Sequence, residues 1–261
     1  MISLSYDRLA GELVAEAGRF GATVAGADPG LRVPTCPEWT LLDLVHHVGL
    51  AYHKSAAIIA SRPTDFVPFE AVTVDDPPKQ PEDFDGWLRQ GAEALVAAVD
   101  EVGPETPTST WTPDKRACFW VRRLTHETVV HRADAAIAVG KPYTLDAELA
   151  ADGISEGFDL AATFSRIQIT ALDRTSLRGS EQTLHFHATD DGLGEVGEWL
   201  IRRTPEGVAA SHEHTKADVA VRAPAADLLL ALTGRIPVDD ARLEVFGDAA
   251  LFAHWRENTK F

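Results

Sequence analysis

Trp120, Leu124, Glu127, His131, Asp134 and Ala138 follow one another at intervals of four, three, four, three and four residues. At about 100° per residue these positions share one side of an α-helix, so the spacing predicts an amphipathic helix over residues 116–139 with that stripe facing a core. Glu127 and His131 then stand one turn apart where apolar side chains are expected. A carboxylate and an imidazole buried together cost roughly several kcal/mol unless a cation or a dense hydrogen-bond network compensates. A Glu/His pair four apart is also a common solvated or hydrogen-bonded helix pair, so the spacing leaves both readings open.

Such a helix needs helical partners, and the sequence supplies them at 6–25, 40–61 and 82–102, with Thr40 as an N-cap. Four helices of this length make a bundle. The second and third are joined by a long segment marked by Pro63, Pro68, Pro77, Pro78 and Pro81, a candidate lip of an active site. A Pro/Thr-rich connection containing Trp111 leads into the fourth.

The second helix offers a third ligand. Leu41, Leu44, Val45, Val48, Tyr52 and Ile59 define its apolar side, His46 and His53 fall on the opposite side, and His47 lies at the boundary, about 100° from the apolar centre. From there His47 can reach an inter-helix cavity and complete a set with Glu127 and His131. The His-Glu-x-x-His metalloprotease pattern is absent: His126 and His131 are five apart and point about 140° from each other. His126 is expected at the surface or behind the ligands.

With 261 residues and 45% hydrophobic content the chain can bury two ordinary cores. We place the boundary near Pro142, giving domains 1–142 and 143–261, with a helical stretch over 146–167 at the junction. A formal net charge of −16 disfavours nucleic acid and anionic membranes as partners. No apolar segment reaches membrane-span length and no basic, apolar leader opens the chain, so a cytoplasmic location is expected. Cys36 and Cys118 have no partner at zinc-ligand spacing and read as packed small hydrophobes rather than nucleophiles.

After Gly179 the character changes. Residues 183–188 alternate polar and apolar, 198–202 and 208–214 follow at strand length, and Asp190-Asp191-Gly192 and Thr204-Pro205-Glu206-Gly207 supply turns, together predicting an antiparallel meander. A helix over 226–233, a strand over 243–246 and a helix from Ala249 complete a small α/β unit. His185 and His187 share one strand face, as do His212 and His214, and could hold a second zinc. The simpler reading puts Leu184, Phe186 and Ala188 in the core and these histidines on a solvated face.

The segment Pro34-Thr35-Cys36-Pro37-Glu38-Trp39-Thr40, then Asp43-Leu44-Val45 and His47, then His126-Glu127 and His131-Arg132-Ala133-Asp134, resembles the mycothiol-dependent maleylpyruvate isomerase family. The resemblance continues through Val221–Leu229, Thr233-Gly234-Arg235 and Val245-Phe246-Gly247-Asp248. It implies an α+β architecture: an N-terminal DinB-like four-helix bundle with a zinc-type divalent metal on His47, Glu127 and His131, then a small sterol-carrier-like α/β domain with an antiparallel sheet. The helical phase and the motif match name the same three ligands.

A metal with three protein ligands keeps a position for an exogenous group. In this family that group is mycothiol, a low-molecular-weight thiol cosubstrate, whose thiolate would add to the cis double bond of maleylpyruvate and leave after rotation to give fumarylpyruvate. The dicarboxylate needs a cation. Arg235 is the candidate, with Arg123 and Arg132 behind it, and Asp134 is placed to orient a ligand imidazole or to pair with an arginine. A mycothiol S-transferase acting on other small electrophiles, a non-catalytic metal- or small-ligand-binding protein and a metal-water hydrolase are the alternatives.

Overall fold

The computed structural model describes residues 4–63, 65–166 and 174–259. Ser5–Tyr143 forms one compact unit, and the chain from Thr144 onward, joined by Leu4, forms the other.

The first unit contains α1 (Tyr6–Val24), α2 (Leu41–Ser61), α3 (Phe84–Val102) and α4 (Cys118–Val139). A short antiparallel hairpin of β1 (Arg32–Val33) and β2 (Cys36–Thr40) precedes α2. α1 and α2 each pack on both α3 and α4, which closes a four-helix bundle. On α1 the buried residues Leu9, Leu13, Ala17, Phe20 and Val24 recur every three or four positions, the stripe such packing requires. Thr40 and Asp43 form a reciprocal capping box that fixes where α2 begins, and with it the phase of every residue that follows.

α2 and α3 approach closely at Gly49, where a Cβ would lie 2.1 Å from the Trp87 ring. The same indole stacks on His53 at 5.2 Å and meets His46 edge-on at 6.1 Å. The two histidines on the far side of α2 therefore pack on α3.

α4 departs from the expected amphipathic pattern. Phe119, Val121, Thr125, His126 and Val130, all off the predicted stripe, are buried as well, and His126 is only 2% exposed rather than a surface residue. α1, α2 and α3 all pack on α4, with Thr125 Oγ1 donating to Leu9 O of α1, and two connections cover its first turn. Trp120 Nε1 donates to Ser109 O at 2.9 Å, Trp111 meets Phe119 edge-on at 5.3 Å, and Phe69 stacks on Trp120 at 5.4 Å. A helix enclosed on all sides has no apolar period to display.

The second unit contains α5 (Ala147–Phe164), β3 (Thr183–Ala188), β4 (Glu198–Thr204), β5 (Gly207–Ser211), β6 (Val219–Ala223), α6 (Ala225–Leu232), β7 (Glu244–Gly247) and α7 (Ala249–Thr259). The expected helix over 146–167 ends at Phe164 in α5, and Ile167 lies outside the described residues. The strand order is β5-β4-β3-β6-β7. β3, β4 and β5 form the antiparallel meander, but β6 pairs with β3 in parallel, so the sheet is mixed.

Phe186 and Trp199 are register partners, and both meet Phe158 of α5, as does Trp255 of α7. That face of the sheet is the core face, and it carries Leu184, Phe186 and Ala188 as the alternation requires. His185, His187 and Glu198 project from the opposite one. β5 ends at Ser211, so His212 and His214 follow the strand instead of lying on it. No described helix is long and apolar enough to cross a membrane.

Candidate metal centre

α2 presents His47 to α4, which presents Glu127 and His131. His47 Nε2 lies 2.9 Å from Glu127 Oε1, and His131 Nε2 lies 3.1 Å from the same oxygen. One carboxylate oxygen thus sits between two imidazole nitrogens. The other, Oε2, accepts from Arg123 Nη2 at 2.9 Å, one turn earlier on α4. Arg123 is thereby committed to Glu127, which weakens its case as a substrate-binding cation.

The far side of His131 is held as firmly. Its Nδ1 is 2.8 Å from Asp134 Oδ2, a contact that fixes the orientation of the ring. Asp134 Oδ1 accepts from Thr35 Oγ1 at 2.5 Å, and the Cys36 thiol lies 3.8 Å from Oδ2. Trp39 of β2 packs 4.7 Å from the His47 ring and 5.8 Å from the His131 ring. The hairpin before α2 therefore supplies Thr35, Cys36 and Trp39 to the surroundings of the site. These contacts were not legible in the spacing, although Arg123, four residues before Glu127, is a recognisable helix pair.

Exposure is graded across the three donors: the His131 side chain is 5% exposed, Glu127 17% and His47 39%. Burial opposes charge on Glu127, yet His131, His47 and Arg123 hold its carboxyl well below the ordinary carboxylate range. Burial likewise opposes charge on His131, but Glu127 and Asp134 push its pKa up to about 8. Two carboxylates around this imidazole draw positive charge to it.

The donor set fits a divalent cation. Its three donor atoms lie within 4.8 Å of one another. Tetrahedral zinc, with metal–ligand bonds near 2.0–2.1 Å, separates its ligands by about 3.3 Å. The nitrogen–oxygen distances of 2.9 and 3.1 Å fall within a few tenths of an ångström of that.

The other candidates separate clearly. Arg132 Nε donates to Glu16 Oε2 at 2.5 Å and its guanidinium lies 4.3 Å from the Tyr143 ring centre, a structural role. Arg235 belongs to the second unit, where it is buried and its Nη1 donates to Thr233 O at 2.6 Å. Burial raises the Cys118 thiol pKa, the opposite of what a reactive thiolate needs.

Residues 10–136 match the family model described as the mycothiol maleylpyruvate isomerase N-terminal domain, and residues 148–254 match the one described as the MDMPI C-terminal domain. The chain belongs to the mycothiol-dependent maleylpyruvate isomerase family. A crystal structure of the mycothiol-dependent maleylpyruvate isomerase superposes with a TM-score of 0.60 at 10% identity, covering 94% of this chain and 95% of that one. The structure of a histidine-to-alanine mutant of the isomerase gives 0.59 at 12% identity with the same coverage. At these identities the likeness is one of fold. No curated protein matches the chain. In this member of the isomerase family, His47, Glu127 and His131 all fall in the segment matched to the N-terminal domain, and Arg235 in the segment matched to the C-terminal one.

Proposed function

We propose that the chain is a metal- and mycothiol-dependent cis–trans isomerase of maleylpyruvate-type substrates, with a divalent metal, zinc by ligand type, on His47, Glu127 and His131. The reading is supported above all by the placement of Glu127 Oε1 between His47 Nε2 and His131 Nε2. A cation bound by three protein donors supplies an open position at which a thiol loses its proton near neutral pH.

The protein's own groups prepare that position. Asp134 accepts the Nδ1 proton of His131, which leaves the Nε2 lone pair free to ligate. Arg123 holds the second oxygen of Glu127, so the carboxylate presents the first alone. Trp39 covers one side of both rings. Arg235 is proposed as the cation for a substrate carboxylate.

In the reaction the thiolate sulfur adds to one carbon of the cis double bond and the π electrons move into the conjugated carbonyl. Rotation about the new single bond follows. The electrons then return, the trans double bond forms and the carbon–sulfur bond breaks, so the thiol is regenerated and no oxidant or reductant is needed.

The test is turnover of maleylpyruvate by metal-loaded protein with and without mycothiol, following product and free thiol together. Mycothiol-dependent fumarylpyruvate formation with the thiol recovered supports the isomerase. Thiol consumed into a stable adduct identifies an S-transferase instead, and binding without turnover a non-catalytic protein.

A further inference from the structure

The sheet histidines lie off the core face as the alternation requires, but His185 is buried there, and what buries it points to a second site. His185 and His187, two apart on β3, project from the same face, and Glu198 of β4 lies directly opposite His187 in the register. His185 is buried rather than solvated. Its Nε2 lies 2.9 Å from Glu198 Oε2.

His214 reaches the same oxygen from the segment after β5, with Nδ1 at 2.6 Å. His212, two residues earlier, donates from Nδ1 to the backbone carbonyl of Glu198 at 2.8 Å and so ties that segment to β4. The second carboxylate oxygen of Glu198 is 3.4 Å from His187 Nδ1. Four imidazoles from two stretches of chain therefore gather around one acidic residue on a third.

This repeats the arrangement in the helical unit. There, Glu127 Oε1 sits between two imidazole nitrogens while Oε2 is held by Arg123. Here, Glu198 Oε2 sits between His185 Nε2 and His214 Nδ1 while Oε1 faces His187. The donor atoms of His185, Glu198 and His214 likewise lie within 4.8 Å of one another.

We propose that His185, Glu198 and His214 form a second divalent-metal site, with His187 positioning the carboxylate. Two imidazole nitrogens and one carboxylate oxygen suit zinc, cobalt or nickel rather than magnesium or calcium. On binding, the protons on His185 Nε2 and His214 Nδ1 leave to solvent and the cation takes their place beside Oε2. Two of the ligands are fixed by paired strands and the third sits on a segment outside the sheet, so the ion clips residues 212–214 to β4. The His214 side chain is 76% exposed, which leaves the ion accessible to exchange.

The experiment counts zinc bound per full-length chain after chelator treatment and equilibrium dialysis against micromolar Zn²⁺, for wild type, His47→Ala, His214→Ala and the double variant. Cobalt absorption in the visible gives a second readout of ligation. His214 is exposed and lies outside the strands, so His214→Ala preserves the fold, which circular dichroism verifies. The expected counts are two, one, one and none. If His214→Ala binds as much zinc as wild type, the proposal is overturned. Zinc lost in His214→Ala but unchanged in His47→Ala would uphold this site and sink the metal reading of the first.

Discussion

His131 and Asp134 stand one turn apart on α4, with imidazole Nδ1 2.8 Å from carboxylate Oδ2. Because Nε2 of the same ring faces Glu127, the contact would keep a proton on Nδ1 when a metal displaces the one on Nε2, so that Nε2 is the ligating nitrogen. Asp134→Asn leaves the shape but offers an amide in place of the acceptor charge. Metal affinity should fall by about 10- to 100-fold, measured by competition with a chromogenic chelator. Affinity unchanged in this variant would mean that His131 is not a ligand.

His46 and His47 are adjacent in sequence and do different work. His47 Nε2 faces Glu127, whereas His46 Nε2 donates to the carbonyl of Pro78 at 2.8 Å and so ties α2 to the proline-rich connection. His47→Ala should lose one bound metal ion and mycothiol-dependent turnover, while His46→Ala keeps the wild-type metal content. Metal content by atomic emission decides this, and equal occupancy in the two variants would refute the assignment.

The choice between those histidines was legible in the sequence because a residue's phase on a helix is set once its start is set. Thr40 and Asp43 announce that start. The same logic placed Glu127 and His131 together. Of the two places expected for His126, the surface one fails, because α4 is covered by α1, α2 and α3 and, at its start, by connections whose contacts leave no period to read. No strand was expected over Val219–Ala223, where the structure has β6. A strand that returns in parallel beside β3 has the same local pattern as one that pairs antiparallel, so the residues do not announce the partner. The convergence of His214 on Glu198 depends on that tertiary layout, and alternation alone could only sort the strand histidines by face.

Two arginines should separate by kinetics. Arg123 holds Glu127, so Arg123→Gln should weaken metal binding by about 10-fold and lower turnover in proportion to occupancy. Arg235→Gln should leave metal content unchanged and lower kcat/KM by about 10- to 100-fold, the loss of one charge-assisted hydrogen bond to substrate at roughly 1.5–3 kcal/mol. Steady-state kinetics on metal-saturated protein provides the comparison. A metal-saturated Arg235→Gln enzyme with wild-type kcat/KM would remove Arg235 from the proposed site.

Glu16 and Arg132 join α1 to α4 through a 2.5 Å contact between two side chains that are almost wholly buried. Arg19 approaches the same carboxylate from the exposed side at 2.7 Å. Removing one partner of a buried pair leaves an uncompensated charge, which costs about 3–5 kcal/mol. Glu16→Ala should therefore lower the urea midpoint sharply without a comparable change in metal affinity per folded molecule, because the described hydrogen bonds of Glu16 run to Arg19 and Arg132 and to none of the three donors. Arg19→Ala, which removes only the exposed partner, should cost about 1 kcal/mol or less. A Glu16→Ala midpoint close to that of Arg19→Ala would show that the buried pair contributes little to holding α1 against α4.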